Sequence, residues 1–344
     1  MAELRRLHFI GVGGAGLSAL ARLCLWRSYE VSGSDLRRTP LIAQIEALGL
    51  SFQVGHEPRL VKEADLVVVS SAVPPDNPEI LWARDRGLPV WKRHQFLPWL
   101  SQDQRLVAVA GTHGKTTTTA LLSHILVEAG LDPTCVVGGV VIGWGGNARL
   151  GHGDYFVLEA DEYDRTFLAL RPWLGAISSV DMDHPDCYGT DEELVEAFRQ
   201  FADLCRTVVA NADDARAMSA ARGLAPDRRS TYGTAAGANW RLLMVEGLRD
   251  GTRFRFRGPD GSSHEAWVPL WGAHSASNAL AAVALAAGCG VSSDDATRAM
   301  ASFQGVERRF QVVSSYAGIT LIDDYGHHPT QIRATLQAAR QRFP

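Results

Sequence analysis

Gly111-Thr-His-Gly-Lys-Thr-Thr117 is the stretch whose residue types and spacing most directly specify a chemistry. It follows the apolar run Leu106 to Ala110 and precedes a helical pattern from Thr118 to Glu128. A strand that feeds a glycine-rich turn opening a helix makes a cradle for phosphate. The backbone N–H groups of the turn and the helix N-terminus converge on one volume, and negative charge is favoured there. Gly111, Thr112, His113, Gly114, Lys115, Thr116 and Thr117 are the expected nucleotide-binding residues, with Lys115 a point charge for β and γ phosphates and the Thr116 hydroxyl placed for Mg²⁺. The usual spacing G-x-x-x-x-G-K-[ST] would need a glycine at Val109, so this is a shortened variant. The chain has three lysines, Lys62, Lys92 and Lys115, so the lysine in the loop is not one of a crowd.

Two acidic clusters follow at strand ends. Tyr155 to Leu158 runs into Glu159-Ala-Asp161-Glu162, and Gly175 to Val180 runs into Asp181-Met-Asp183-His184. Ligands of open α/β sheets gather at the carboxyl ends of strands, so both clusters are expected to face the glycine loop. Oxygen donors with one imidazole suit Mg²⁺ beside phosphates; acidic loops solvated at the surface are the plainer alternative. A second glycine loop lies upstream. Gly11-Val-Gly13-Gly-Ala-Gly16 joins the strand Leu7 to Ile10 to a helix Leu17 to Trp26, and Asp35 ends the next strand, Glu30 to Gly33 with Ser34. That spacing suits a pyrophosphate and a ribose hydroxyl without saying which nucleotide binds.

The elements that must hold these residues alternate. Apolar strands at Leu66 to Ser71 and Pro89 to Trp91, with helices at Asn77 to Arg86 and His94 to Leu100, complete a parallel, doubly wound sheet of about 100 residues. A polar break, Ser101 to Gln104, precedes the phosphate-loop domain. That domain continues through a helix Asp191 to Leu204, a strand Thr207 to Asn211, an antiparallel ribbon between Asn239 and Val268, and helices Ser277 to Ala287 and Asp294 to Phe303. A strand pair, Phe310 to Ser315 and Thr320 to Ile322, and a helix to Phe343 look like the start of a third domain. The fold class is therefore α/β: a Rossmann-like parallel-sheet domain (1–102), a P-loop-type α/β ATPase domain with a small antiparallel ribbon (103–311), and the beginning of a third α/β domain (312–344). With 344 residues, 46% hydrophobic, the chain is long enough for several cores. Its net charge of -4 gives no general pull toward nucleic acid or anionic membrane. Five scattered cysteines without C-x-x-C spacing read as reduced thiols of a cytoplasmic protein. The apolar run Ala279 to Val291 is too short to span a bilayer.

Eight motifs in one order, HFIGVGGAGLSALA, SGSD, GTHGKTTTT, EADEYDRTFL, DMDHPDCYG, SNALAA, ERRFQ and DDYGHHPT, resemble the Mur ligases of bacterial cell-wall synthesis. The resemblance covers nearly the whole chain and is strongest to the members that join L-alanine to UDP-N-acetylmuramate. It implies an ATP- and Mg²⁺-dependent amide ligase acting through an acyl phosphate. UDP, rather than a nicotinamide cofactor, would sit near Gly13, Gly16, Ser18, Asp35, His56, Ser71 and Arg93. Lys115, Glu159 and His184 would be the catalytic residues, with Thr116, Glu159 and His184 holding metal. His274 and Asn278 would meet adenine, Arg309 a phosphate, Asp324 the ATP ribose, and Tyr325 and His327 the muramyl substrate. Three departures stand out: no lysine follows Lys115 to serve as the carbamylated bridge some relatives use, Ser275 follows His274 where asparagine is usual, and most of the C-terminal domain that the family docks over ATP is expected to be lacking. A peptide-recycling ligase of the same family, a silent UDP-sugar and ATP binding module, and a dehydrogenase using the first loop are the alternatives. The last would leave the second phosphate loop idle.

Overall fold

A computed structural model describes residues 4–343; residues 1 and 344, the outer bounds of the expected domains, lie outside it. Five parallel strands, β1 (Arg6–Ile10), β2 (Glu30–Asp35), β3 (Ser51–Val54), β4 (Leu66–Val69) and β5 (Val90–Lys92), form the first sheet in the order β3-β2-β1-β4-β5. The order reverses beside β1, which places the Gly11–Gly16 loop at a switch point of the sheet. Helices α1 (Ala15–Trp26), α2 (Pro40–Glu46), α3 (Pro78–Asp85) and α4 (Arg93–Ser101) cover it. Leu7 and Phe9 point into one core while Ile10 joins Val67, Val69 and Ile80 in another, as period-two alternation requires of a strand covered on both faces.

The second sheet has ten strands: β6 (Arg105–Ala110), β7 (Thr134–Val141), β8 (Gly146–Arg149), β9 (Tyr155–Glu159), β10 (Leu174–Ile177), β11 (Thr207–Asn211), β12 (Arg229–Gly233), β13 (Trp240–Gly247), β14 (Thr252–Arg257) and β15 (Ser263–Val268). They run in the order β15-β14-β13-β12-β11-β10-β6-β9-β7-β8. β6 thus sits between β10 and β9, parallel to both, and the loops leaving all three strands share one edge. Around it lie α5 (Lys115–Glu128), α6 (Asp191–Leu204), α7 (Ala215–Ala220), α8 (Ala273–Gly288) and α9 (Ser293–Met300). Leu106 and Ala108 face Phe198 and Phe201 of α6, whereas Val107 and Val109 face α5 and the alanine-rich α8. Small side chains let α8 lie close against the sheet, which makes it the buried helix its composition suggests.

Several sequence expectations need correcting. The ribbon between residues 239 and 268 is antiparallel as expected, through β13, β14 and β15, and β13 also pairs with β12 in parallel, so the ribbon extends the large sheet. Helix α8 starts at Ala273, because Gly272 at φ +96° is the residue that breaks the chain direction; His274 therefore lies in the first turn of the helix rather than before it. Strand β10 stops at Ile177, leaving Ser178 to Val180 in the loop. Elements α2, β3, β7, β8, α7 and β12 lie where the sequence pattern marks no element.

The chain closes with the hairpin β16 (Gln311–Tyr316) and β17 (Ile319–Asp323) and helix α10 (Pro329–Arg342). Val313, Tyr316, Ile319, Leu321, Ile332 and Leu336 are exposed here, and Ala338 is the one buried residue of α10 among those described. The end of α10 rests on the central sheet's loops, with the Arg342 guanidinium 3.7 Å from the centre of the Trp271 ring.

Candidate functional site

The glycine loop after β6 is shaped by its neighbour β10. Thr112 N–H donates to the Ser179 carbonyl at 2.9 Å and His113 N–H to Ser179 Oγ at 2.9 Å, while Ser178 Oγ donates to the His113 carbonyl at 2.5 Å. Thr112 Oγ1 both donates to the Asp181 carbonyl and accepts from its N–H, each at 3.0 Å. Gly114, at φ +80°, precedes Lys115 with no side chain capping α5, so the first-turn N–H groups of the helix remain available to an anion. Asn278 of α8 lies against this glycine: a Cβ there would fall 2.4 Å from its Oδ1. The adenine-side expectation for Asn278 thus has it beside the loop.

Lys115 does not stand free. Its Nζ donates to Glu162 at 2.9 and 2.8 Å and to the Thr112 carbonyl at 3.3 Å. Burial works against its charge, but Glu162, Asp161 and Glu159 outweigh that and raise its pKa, so the ammonium is held protonated. Glu162 is the residue that sequence reasoning passed over; it was visible only as the last acid of the run after β9. Thr116 Oγ1 donates to Glu159 Oε1 at 2.9 Å and accepts from Arg309 Nη2 at 3.2 Å, while Glu159 Oε2 accepts from Gly138 N–H at 2.6 Å. The first acidic cluster therefore does face the loop. Thr116 and Glu159 supply adjacent hard oxygens, a donor set that fits Mg²⁺.

His184, the other expected metal ligand, is not brought to that pair. Its ring centre lies 5.1 Å from that of Tyr163 and its Nε2 lies 4.0 Å from Asp183, on a backbone at φ +59°. Asp324 is also occupied locally: its carboxylate accepts from the N–H groups of Phe310 and Gly326 at 2.8 Å each, and from Thr335 Oγ1 at 3.2 Å. Arg309 and Arg308 both lie over the ring of Tyr325, and His327 Nδ1 lies 3.2 Å from the Tyr325 carbonyl.

The second acidic cluster reaches the loop through His113. His113 Nε2 lies 3.2 Å from Asp181 Oδ2, which His328 Nδ1 approaches to 3.6 Å and to which Thr330 Oγ1 donates at 3.0 Å. Such a trio has the spacing of metal ligands, yet its hydrogen bonds oppose that role. Gln331 Oε1 accepts from His327 and His328 N–H, which turns the Gln331 amide nitrogen toward His113 Nδ1 at 3.0 Å. Nδ1 must then accept and Nε2 carries the proton, whereas a ligating histidine donates from its other nitrogen. The group is a latch between the phosphate loop and the start of α10.

Burial holds the His113 imidazole below the ordinary histidine range, opposed by Asp181 and assisted by His328 and Lys115. A lowered folded-state pKa means the latch contributes fully above about pH 6.5 and is lost as pH falls through the folded value. The backbone amides of His327, His328, Thr330 and Gln331 should accordingly lose hydrogen-exchange protection, after correction for intrinsic rates, between about pH 7.5 and about pH 5. A pH-independent protection would contradict this account.

At the first loop, Gly11 and Val12 N–H donate to the Ser34 carbonyl at 2.8 and 3.2 Å, and Asp35 Oδ2 accepts from Gly13 N–H at 2.8 Å. Asp35 therefore sets the loop itself. Arg93 lies against Gly16, where a Cβ would stand 3.0 Å from its Cζ. Ser18 is met from the other domain by Asn147 Nδ2 at 3.1 Å, a contact nothing in the sequence announced. His56 Nδ1 lies 2.9 Å from the fully buried Glu79, which also binds His8 at 3.1 Å and Ser34 at 2.5 Å. Ser71 Oγ donates to Asp164 Oδ2 at 2.6 Å.

Two glycine loops at the ends of parallel strands, the second backed by a Lys–Glu and a Thr–Glu pair, can bind two phosphorylated ligands. Family models match along the chain: the Mur ligase family catalytic domain over residues 6–105, the Mur ligase middle domain over 109–286 and the Mur ligase glutamate ligase domain over 308–344. The chain belongs to the Mur ligase family. Among curated Mur ligases, the UDP-N-acetylmuramate–L-alanine ligase of Sorangium cellulosum is 42% identical over 99% of this chain and 73% of its own length. That of Acidobacterium capsulatum is 43% identical over 98% and 75%. Among solved Mur ligases, the UDP-N-acetylmuramate-alanine ligase of Thermotoga maritima superposes with a TM-score of 0.89 at 31% identity, covering 99% of this chain and 78% of that one. A murein peptide ligase of Psychrobacter arcticus gives 0.83 at 28% identity, covering 98% and 76%. No described helix of this Mur ligase is long and apolar enough to cross a membrane.

Proposed function

We infer that this chain is an ATP-dependent ligase that joins L-alanine to the lactyl carboxylate of UDP-N-acetylmuramate, in the cytoplasmic stage of peptidoglycan precursor synthesis. The observation that carries the reading is the pairing of two separate phosphate seats in a chain whose L-alanine-adding relatives match it nearly end to end. Its division into a UDP-binding domain (1–102), a central ATP-binding domain (103–311) and the beginning of a ligase domain (312–344) is supported by three sheets that share no strand.

A carboxylate is a poor electrophile, so the lactyl carboxylate attacks the γ-phosphate and expels ADP, and the amine of L-alanine then attacks the acyl phosphate formed, releasing phosphate and a proton as the amide bond closes. Lys115 and Arg309 offset the repulsion as carboxylate and triphosphate meet. Thr116 and Glu159, with His184 brought in by the substrates, would hold the Mg²⁺, whose charge neutralises the transferred phosphoryl oxygens. Gly13, Gly16, Ser18, Asp35, His56, Ser71 and Arg93 seat the UDP, and His274, Asn278 and Asp324 the adenosine. Tyr325 and His327 face the muramyl group.

The test is mass spectrometry of the full-length protein with ATP, Mg²⁺, UDP-N-acetylmuramate and L-alanine. A product heavier by one alanyl residue, formed with stoichiometric phosphate, supports the reading. Product with a tripeptide but none with L-alanine assigns the chain to the peptide-recycling ligases instead, and tight NAD binding at the first loop with no ligation would sink both.

A further inference from the structure

The segment from Glu159 to Arg165 touches both phosphate seats at once. Toward the second loop, Glu159 accepts from Thr116 and Glu162 from Lys115. Toward the first, Asp161 lies 3.5 Å from Arg93 Nη1, and Asp164 Oδ2 accepts from Ser71 at 2.6 Å with Lys92 Nζ at 3.6 Å. Ser71 and Arg93 belong to the UDP seat of the proposed function, on which this inference rests. Anionic oxygens of the protein thus occupy the donors of that seat.

The occupancy is imperfect. Arg93 Nε is buried with no hydrogen-bond partner, and 3.5 Å is well beyond the roughly 2.7–2.9 Å of a charge-assisted bond. Asp164 and Arg165 hold φ of +53° and +52°, a left-handed pair that residues with side chains adopt only under constraint. Phe167, stacked on Phe201 with ring centres 5.2 Å apart, and the Tyr188 hydroxyl, donating to the Glu162 carbonyl at 2.7 Å, anchor the segment on its far side. A diphosphate carries more charge than either carboxylate and has more acceptor oxygens, so it wins the contest for Arg93, Ser71 and Lys92. Asp161 is adjacent to Glu162 in the chain and itself bears on the Lys115 ammonium, so its displacement is felt at the second seat.

We propose that Asp161 and Asp164 are place-holders for the diphosphate of the nucleotide-sugar, and that their displacement loosens Glu162 from Lys115 and readies the ATP seat. The two sites are then coupled, and by linkage each ligand tightens the other.

The probes are UDP and a non-hydrolysable ATP analogue, titrated calorimetrically into the full-length protein. Saturating UDP should tighten the analogue by about 5-fold or more, within the usual range of coupled sites. In Asp161→Asn/Asp164→Asn, which keeps the side-chain shapes and suits a left-handed backbone, UDP should bind about 3- to 10-fold tighter and the coupling ratio should fall to about 1. Asp161→Asn alone should move both quantities the same way by less. A structural role alone would lower the melting temperature and leave the coupling ratio unchanged. Unchanged or weaker UDP binding with intact coupling overturns this proposal alone; no UDP binding by any of the proteins overturns it together with the function it rests on.

Discussion

Lys115→Ala in the full-length enzyme should reduce ATP turnover by at least about 10² to 10³, the loss expected when one preorganised charge is removed from a transferring phosphoryl group. Affinity for UDP-N-acetylmuramate should change by no more than the coupling between the two seats, about 5-fold, because the Gly11–Gly16 loop itself belongs to another sheet. The same substitution leaves the Glu162 carboxylate, 1% exposed, without its partner. Breaking a buried pair from one side costs about 3–5 kcal/mol, and here less, since burial already raises the Glu162 pKa and lets the group take up a proton. Lys115→Met with Glu162→Gln separates the two effects. The double variant should recover most of the stability, read by denaturant unfolding, and none of the turnover. If turnover returns with stability, Lys115 is a structural residue.

Gly111→Ala should be nearly as damaging, by a different route. A Cβ at Gly111 would stand 2.1 Å from Ser178 Oγ and 2.9 Å from the backbone nitrogens of Ser178 and Ser179, and the residue sits at φ +131°. Strain and overpacking together should cost about 3 kcal/mol or more, and pushing β10 away from the loop should cost at least about tenfold in ATP affinity. Gly130 is the control: its φ is +76° but nothing lies within 4 Å of a Cβ there. Gly130→Ala should lose only about 1 kcal/mol and leave ATP affinity alone. Equal losses in the two variants would show that the close approach at Ser178 is immaterial.

Both glycine loops are legible in the sequence because each is a continuous run in which an apolar strand, glycines and a helix follow one another. Strand β3 is not, because its Ser51-Phe-Gln-Val54 is half polar and only partly buried. Strand β7 carries Gly138 and Gly139 in its middle, which reads as a turn; in the structure the first lies so close to Glu159 that a Cβ would fall 2.5 Å from its carboxylate. The start of α8 was misplaced because Ala273-His-Ser-Ala276 carries no sequence break stronger than the glycine before it. At the site, Glu162 was hidden by its neighbours: four residues with three acids give no sign of which one turns inward. Asn147, Ser178 and Ser179 are ordinary residues brought against the two glycine loops by strand order, and strand order is a long-range fact that no local pattern carries.

That order also bears on how the molecule is made. The first sheet uses strands from residues 6 to 92 only, and once that stretch has left the ribosome nothing further is needed to complete it. Strand β6 must wait: its partners β9 and β10 end at residues 159 and 177, and Arg309 reaches Thr116 across 193 residues. At about 5–20 residues per second the nascent chain therefore spends several seconds with β6, a run of five buried apolar residues at the head of the phosphate loop, unpaired on both edges. During translation the first sheet is finished while the second is not, and the interval before β10 emerges is when holdase chaperones have most to do.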